Sequence, residues 1–159
     1  MFNDSQKYGF RVLELVFGAF LMVAIFFGSK SAEAILAPVV TDFEVLSAVQ
    51  VEEGIEVTGT MEKARDCTFR ELMVYVQRDD QKQPVAASFE FMDRAKDLKT
   101  RAAIAQAWGP WKIFIPGEYD RADISLFARH ECHSFYDTQG KLHEFTIVKE
   151  NEALTVSNK

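Results

Sequence analysis

The chain has 159 residues, with 18 basic and 24 acidic side chains and a formal net charge of −6. This length suits one domain with a core of its own and leaves little room for two. An acidic chain has no electrostatic reason to bind phosphate backbones, so nucleic acid is excluded as an expected partner.

The first predicted element is the apolar segment Val12–Gly28, in which Glu14 is the only charged residue. Seventeen helical residues span about 26 Å, close to the thickness of a bilayer's hydrocarbon core. We therefore expect a transmembrane signal anchor over residues 12–30 that contacts the lipid bilayer. A secretory signal peptide cleaved after Ala34 is the alternative, because Ala32 and Ala34 satisfy the small-x-small rule. A helix buried in a soluble protein is the third interpretation.

The flanking charges predict the orientation of this segment. Lys7 and Arg11 precede it, and Lys30 is the only basic residue that follows it closely. The positive-inside rule places residues 1–11 in the cytoplasm. We expect a single-pass protein of the bacterial inner membrane, with a linker over residues 31–41 and the main domain in the periplasm.

The two cysteines, Cys67 and Cys132, both lie in the part that is expected to be exported. An oxidising compartment favours a disulfide between them, which would close a loop of 66 residues. Free or metal-bound thiols are the alternative.

Alternating apolar and polar residues predict β-strands throughout residues 42–150. Turn-forming residues separate the strands at roughly ten-residue intervals, as in an all-β, immunoglobulin-like antiparallel sandwich of about seven strands. Residues 151–159 are expected to be a flexible tail. The seven predicted strands are Phe43–Val51, Ile55–Glu62, Phe69–Gln77, Val85–Phe91, Trp111–Ile115, Ala122–Arg129 and Leu142–Lys149.

The three histidines, His130, His133 and His143, lie close together in the sequence and are candidate ligands for copper or zinc. A hairpin turning over residues 137–140 would pair His143 with Ser134. His130 would then lie about 13 Å away along the strand, too far to share an ion unless the strand bends. We therefore expect no cofactor and keep the metal site as an alternative.

The sequence Trp108-Gly109-Pro110-Trp111 is the other dense cluster. Two indoles around a Gly-Pro turn can form an aromatic contact ledge for a partner or fill the core of a small sandwich. No nucleophile elbow, zinc-protease motif or glycine-rich phosphate loop occurs, so we expect no enzymatic activity.

Three motifs carry a resemblance to a known group: Gly59-Thr60-Met61-x-Lys63-x-Arg65-x-Cys67, Trp108-Gly109-Pro110-Trp111, and Ala128-Arg129-His130-Glu131-Cys132-His133. The chain resembles small uncharacterised membrane proteins of tailed phages and proteobacteria, which have an N-terminal transmembrane segment. The resemblance implies an extracytoplasmic domain, a Cys67–Cys132 pair and a phage origin.

The sequence thus predicts a non-enzymatic, membrane-anchored extracytoplasmic module that binds or scaffolds an envelope or phage protein. One alternative is a periplasmic metal-binding protein that uses His130, His133 and His143. The other alternative is a phage lytic or host-modifying membrane protein, in which the apolar helix carries the effect.

Overall fold

Two structural units follow one another along the chain, Met1–Ala37 and Pro38–Lys159. The computed structural model describes residues 4–92, 102–134, 136–150 and 153–159. The first unit contains one helix, α1 (Asp4–Leu36). The second unit is built from strands, nine of them within the described residues.

Helix α1 includes the whole apolar run of the sequence. Its backbone hydrogen bonding ends with the amide of Ala37, which donates to the carbonyl of Glu33 at 2.9 Å. Pro38 follows, and a proline cannot continue a helix because it has no amide hydrogen. Among the described residues, no helix is both long and apolar enough to cross a membrane.

The strands form two antiparallel sheets, as the predicted all-β architecture requires. The first sheet has the order β1-β2-β6-β5, and the second has the order β4-β3-β7-β8-β9. The strands are β1 (Val40–Val51), β2 (Gly54–Lys63), β3 (Thr68–Arg78), β4 (Val85–Ala87), β5 (Phe89–Phe91), β6 (Ala105–Phe114), β7 (Arg121–His133), β8 (Tyr136–Glu150) and β9 (Ala153–Asn158).

One apolar core lies between the two sheets and is formed by side chains from both. In β7, every second residue from Ala122 to His130 is buried, which confirms the predicted alternation of this strand. Ile124 and Leu126 of β7 are fully buried, as are Ile55 and Val57 of the opposite sheet. The packing of the two inner faces therefore excludes water from the space between the sheets.

The predicted strand Val85–Phe91 is wrong as a single element. It divides at Ser88 into β4, which pairs with β3, and β5, which pairs with β6 in the other sheet. The carbonyl of Ser88 accepts a hydrogen bond from the amide of Phe114 at 2.9 Å, which fixes the crossing point. This switch places Phe91 against Trp111 in the core.

The hairpin predicted over residues 137–140 is also displaced. β7 continues to His133 and β8 begins at Tyr136, so both strands extend past the ends predicted at Arg129 and Leu142. The alternation of β7 continues past its predicted end, and Asp137 pairs with Glu131 instead of turning.

The flexible tail predicted over residues 151–159 contains a strand. Residues 151–152 lie outside the described residues, but β9 pairs with β8 from Ala153 opposite Glu150 to Asn158 opposite Phe145. The apolar residues Leu154 and Val156 alternate in β9 and pack against the core, which explains why this segment is ordered on the sheet.

Candidate functional site

The disulfide pair lies at one end of the second sheet. Cys67 and Cys132 have their sulfur atoms at bonding distance and their Cα atoms 4.7 Å apart, in agreement with the predicted pairing. Cys67 immediately precedes β3 and Cys132 is near the end of β7, which are neighbouring strands. The bond therefore fastens the ends of two adjacent strands of one sheet.

A cavity of about 50 Å³ lies between the two sheets, and its lining begins two residues from each cysteine of this pair. Phe69 of β3 and His130 of β7, which are register partners, both line it. Each sheet contributes five lining side chains. They are Val40, Met61, Lys63, Phe91 and Trp111 from the first sheet, and Phe69, Leu72, Ala128, His130 and Leu142 from the second.

His130 is one of three polar side chains at the cavity, and it is only 6% exposed. Its ring packs edge-on against Phe69, with 5.7 Å between ring centroids. Burial, assisted by the nearby Lys63 ammonium, lowers the pKa of His130 to about 4. The imidazole is therefore neutral at pH 7 and offers one donor and one acceptor.

Lys63 is the last residue of β2 and is also 6% exposed. Its Nζ lies 3.6 Å from a carboxylate oxygen of Asp66, whose own side chain is 94% exposed. An ion pair with so exposed a partner is screened by water and contributes little to stability. The ammonium thus places a positive charge at the edge of the core.

Trp111 of β6 contributes an indole N–H group to the same region. Its Nε1 is buried, and no hydrogen-bond partner for it exists among the described residues. Trp108, by contrast, donates from its Nε1 to the carbonyl of Thr60 at 3.0 Å. The two indoles therefore differ in hydrogen bonding although both are buried.

Of the two roles considered for Trp108 and Trp111, filling the core agrees with the structure and a contact ledge does not, because the side chains are only 2% and 5% exposed. They pack against each other with 4.3 Å between ring centroids, and Phe43 stacks on Trp108 at 4.6 Å. Two residues three apart in a regular strand face opposite sides. Here Gly109, with a φ of +89°, and a register irregularity opposite it bring both indoles inward.

The structure does not bring His130, His133 and His143 together. His133 packs on Tyr136, whereas Nε2 of His143 lies 2.9 Å from Oδ1 of Asn158. The displaced hairpin pairs His143 with Leu126, four residues before His130 in β7. In the part of the chain that the structure describes, no three His, Cys, Asp or Glu side chains could hold a metal ion.

From the sequence, His130 was predicted as a candidate ligand, whereas Lys63 was named only within a motif and neither it nor Trp111 was predicted to line a cavity. A signal for Lys63 was present in β2, where Val57, Gly59 and Met61 alternate as buried residues. Continuing this period by one step brings Lys63 to the inner face. The predicted strand ended one residue too early to include it.

Comparison of the chain with protein-family models, with curated proteins and with solved structures finds no match. The geometry of the sandwich and the surface of α1 are therefore the basis for a functional proposal.

Proposed function

We propose that the protein is a non-enzymatic, membrane-anchored binding or scaffolding module, with its β-sandwich outside the cytoplasm. The observation that carries the proposal is the exposure of large apolar side chains along α1. Leu15, Phe20 and Met22 are 75%, 71% and 71% exposed. A contiguous apolar surface of this kind is unfavourable in water and marks a site of contact with lipid or protein.

The distribution of charges and the cysteine pair support export of the sandwich. Lys7 and Arg11 precede the apolar run, which favours a cytoplasmic N-terminus. Disulfides persist in oxidising compartments such as the bacterial periplasm, so the Cys67–Cys132 pair agrees with a periplasmic domain. We accordingly propose the bacterial inner membrane as the location.

The strand order supports an immunoglobulin-like sandwich. The sheets β1-β2-β6-β5 and β4-β3-β7-β8 have the order A-B-E-D and C′-C-F-G of that fold, and β9 adds a strand at the edge. Two features differ from antibody domains. The disulfide joins neighbouring strands of one sheet, and the tryptophans belong to the strand equivalent to E.

We propose an envelope or phage protein as the partner, which the sequence resemblance to phage and proteobacterial membrane proteins supports. Helix α1 would hold the sandwich near the bilayer, where its loops and edge strands are available for contact. A fold of this class carries many unrelated functions, so the partner must be identified by experiment.

Alkaline carbonate extraction of bacterial membranes tests the attachment. We expect the full-length chain to stay in the membrane pellet and to require detergent for release. A variant with Leu15→Gln, Phe17→Gln and Phe20→Gln should move to the soluble fraction because its helix surface is polar. A matched control, Leu46→Gln with Val49→Gln, changes exposed apolar residues of β1 and should stay in the pellet.

Release of the unaltered chain by carbonate would overturn membrane anchoring. Intact mass of the extracted protein then distinguishes an uncut anchor from cleavage after Ala34. A gain of two hydrogens on reduction reports the disulfide in the same measurement. Protease added to the periplasmic side should digest the sandwich if the proposed orientation is correct.

A further inference from the structure

Two adjoining grooves lie at the end of the sandwich away from the disulfide, where β3 and β6 end and β2 and β7 begin. Their volumes are about 580 and 550 Å³, each within the size range of ligand pockets. Gln50, Gly117 and Tyr119 line both, so the two grooves meet at these residues. Together they form one open groove with two halves, which we call the Tyr119 groove.

Hydrogen bonds hold the walls of the Tyr119 groove in place. The hydroxyl of Tyr119 donates to Oε1 of Gln50 at 3.0 Å, and Nε2 of Gln50 donates to the carbonyl of Gly54 at 2.9 Å. The guanidinium of Arg78 donates to the carbonyl of Pro116 on the loop that precedes Tyr119. A groove whose walls are already fixed loses little conformational entropy when a partner binds.

The first half of the Tyr119 groove is largely apolar. Phe114 is half-buried there, and Pro116 is exposed. Water in contact with such a concave apolar surface is readily displaced by an apolar side chain of a partner. The apolar side chains that line this half, besides Tyr119, are Ala86, Ala87, Phe114, Ile115 and Pro116.

The second half of the Tyr119 groove has a negative charge. Four carboxylates line it, and Lys149 is the only basic residue among the described residues of its lining. Asp80 pairs with the guanidinium of Arg78 at 2.8 Å, whereas the other three carboxylates are exposed and form no ion pair within the described part of the chain. A cation placed among them is favoured by their combined field. The four carboxylates belong to Asp79, Asp80, Glu118 and Asp120.

We propose that the Tyr119 groove binds an extended peptide segment of a partner protein, in which an apolar side chain lies next to two basic ones. The apolar side chain packs against Phe114 and Pro116, and the basic side chains lie in the acidic half. Because both halves share Tyr119, the two kinds of side chain must be close together in the segment. The inference rests on the proposed binding role and names the chemistry of the partner.

Isothermal titration calorimetry of the full-length chain in nonionic detergent tests the proposal. The peptide acetyl-Leu-Lys-Lys-amide should bind with saturation and a dissociation constant on the order of 0.1 mM. Binding should weaken as salt is added, because salt screens exposed charges. Replacing both lysines of the peptide by glutamates should abolish binding, and replacing its leucine by glycine should weaken binding about fivefold.

Two double variants make the test specific. Glu118→Gln with Asp120→Asn removes two carboxylates of the groove and should weaken binding of the lysine peptide about fivefold. Glu44→Gln with Glu90→Gln removes two exposed carboxylates outside the groove lining, changes the net charge equally, and should leave binding unchanged. Thermal unfolding of each variant verifies that it is folded.

Three results would overturn the proposal: no saturable heat from the lysine peptide, equal binding of the glutamate peptide, or equal losses in the two double variants. Chitotriose, titrated in parallel, represents a glycan, and its saturable binding in place of the peptide would assign the groove to a glycan instead. If Glu118→Gln with Asp120→Asn fails to fold, the comparison of the peptides on the unaltered chain still decides.

The peptide titration and the carbonate extraction can each fail alone. Release of the chain by carbonate, with peptide binding retained, would overturn the membrane anchoring and leave the groove as a binding site. A chain that stays in the membrane pellet but does not bind the peptide would overturn the groove proposal alone.

Discussion

Asn158 of β9 hydrogen-bonds both backbone groups of Val45 in β1. The amide of Val45 donates to Oδ1 at 3.3 Å, and Nδ2 donates to the carbonyl of Val45 at 3.1 Å. The side chain of Asn158 thus pairs with the backbone of Val45 as the backbone of a neighbouring strand would. It links the two sheets along one edge of the sandwich. The same Oδ1 lies 2.9 Å from Nε2 of His143, which adds β8 to the link.

Replacing the side chain of Asn158 should weaken the link between β1 and β9. Asn158→Ala is expected to lower the free energy of unfolding by about 1 kcal/mol, because two backbone groups of Val45 lose their partner at a partly exposed site. Urea unfolding measures the change. Ser157→Ala, one residue earlier and exposed, should stay within about 0.5 kcal/mol of the unaltered chain. Equal stability of both variants would show that water replaces the amide.

The buried His130 predicts a decrease in stability at mildly acidic pH. Its pKa is about 4 in the folded chain, and near 6.5 when unfolded. Between these values the unfolded chain binds more protons, so stability falls as the pH falls from 6.5 toward 4. The full loss is up to about 3 kcal/mol.

Unfolding midpoints between pH 7.5 and 5 test this prediction, since ordinary carboxyl groups titrate below that range. His130→Gln should flatten the profile, whereas His133→Gln, at an exposed position, should keep the slope of the unaltered chain. A slope that persists in His130→Gln would assign the effect to another group.

The strands and their irregularities show which parts of the fold could be predicted from the sequence. The alternation in β7 predicted the inner face from Ala122 to Ala128 because successive residues of a strand point to opposite faces of the sheet. Alternation within a strand does not indicate which other strand pairs with it, so the change of sheet at Ser88 could not be predicted from the sequence. The phase shift at Gly109 and the bond from Asn158 to Val45 depend on backbone geometry between distant segments, which local patterns do not encode.

Lys63 is expected to reduce stability because its ammonium group is buried at the edge of the core. Replacing both members of a buried ion pair by apolar side chains is often neutral or stabilising, by about 1–4 kcal/mol, whereas removing one member is costly when the other stays buried. Asp66, which lies 3.6 Å from Nζ of Lys63, is 94% exposed and stays hydrated when Lys63 is replaced. Lys63→Met should therefore unfold at the same or a higher urea concentration than the unaltered chain. Lys112→Met provides the comparison and should change the midpoint little. A marked loss of stability in Lys63→Met alone would mean that the ammonium contributes to the fold.

The disulfide should be a major source of stability. Cys67 and Cys132 are 65 residues apart, and the chain-entropy model gives about 4 kcal/mol for a loop of that length. Cys67→Ser combined with Cys132→Ser should lower the free energy of unfolding by this order. Reductant should destabilise the unaltered chain to the level of the double variant and leave the variant unchanged. A reductant effect on the variant would indicate a cause other than this bond.

Gly59 is required by close contact between β1, β2 and Trp108. A Cβ added at this position would overlap the carbonyl oxygen of Glu44 and lie 2.5 Å from Cζ2 of Trp108. The backbone of β1 cannot withdraw without breaking its pairing with β2, in which Val45 lies opposite Gly59. Gly59→Ala should therefore cost at least about 2 kcal/mol of unfolding free energy and alter the near-UV circular dichroism of the indoles.

Gly140 in β8 supplies the matched control for that substitution. It is also a strand glycine, but an added Cβ would meet nothing within 4 Å. Gly140→Ala should be neutral or slightly stabilising, because alanine restricts the unfolded chain more than glycine does. Equal losses in the two variants would mean that glycine is needed for backbone freedom in both strands. A loss confined to Gly59→Ala assigns the requirement to the packing of Trp108, on which the position of Trp111 at the cavity depends.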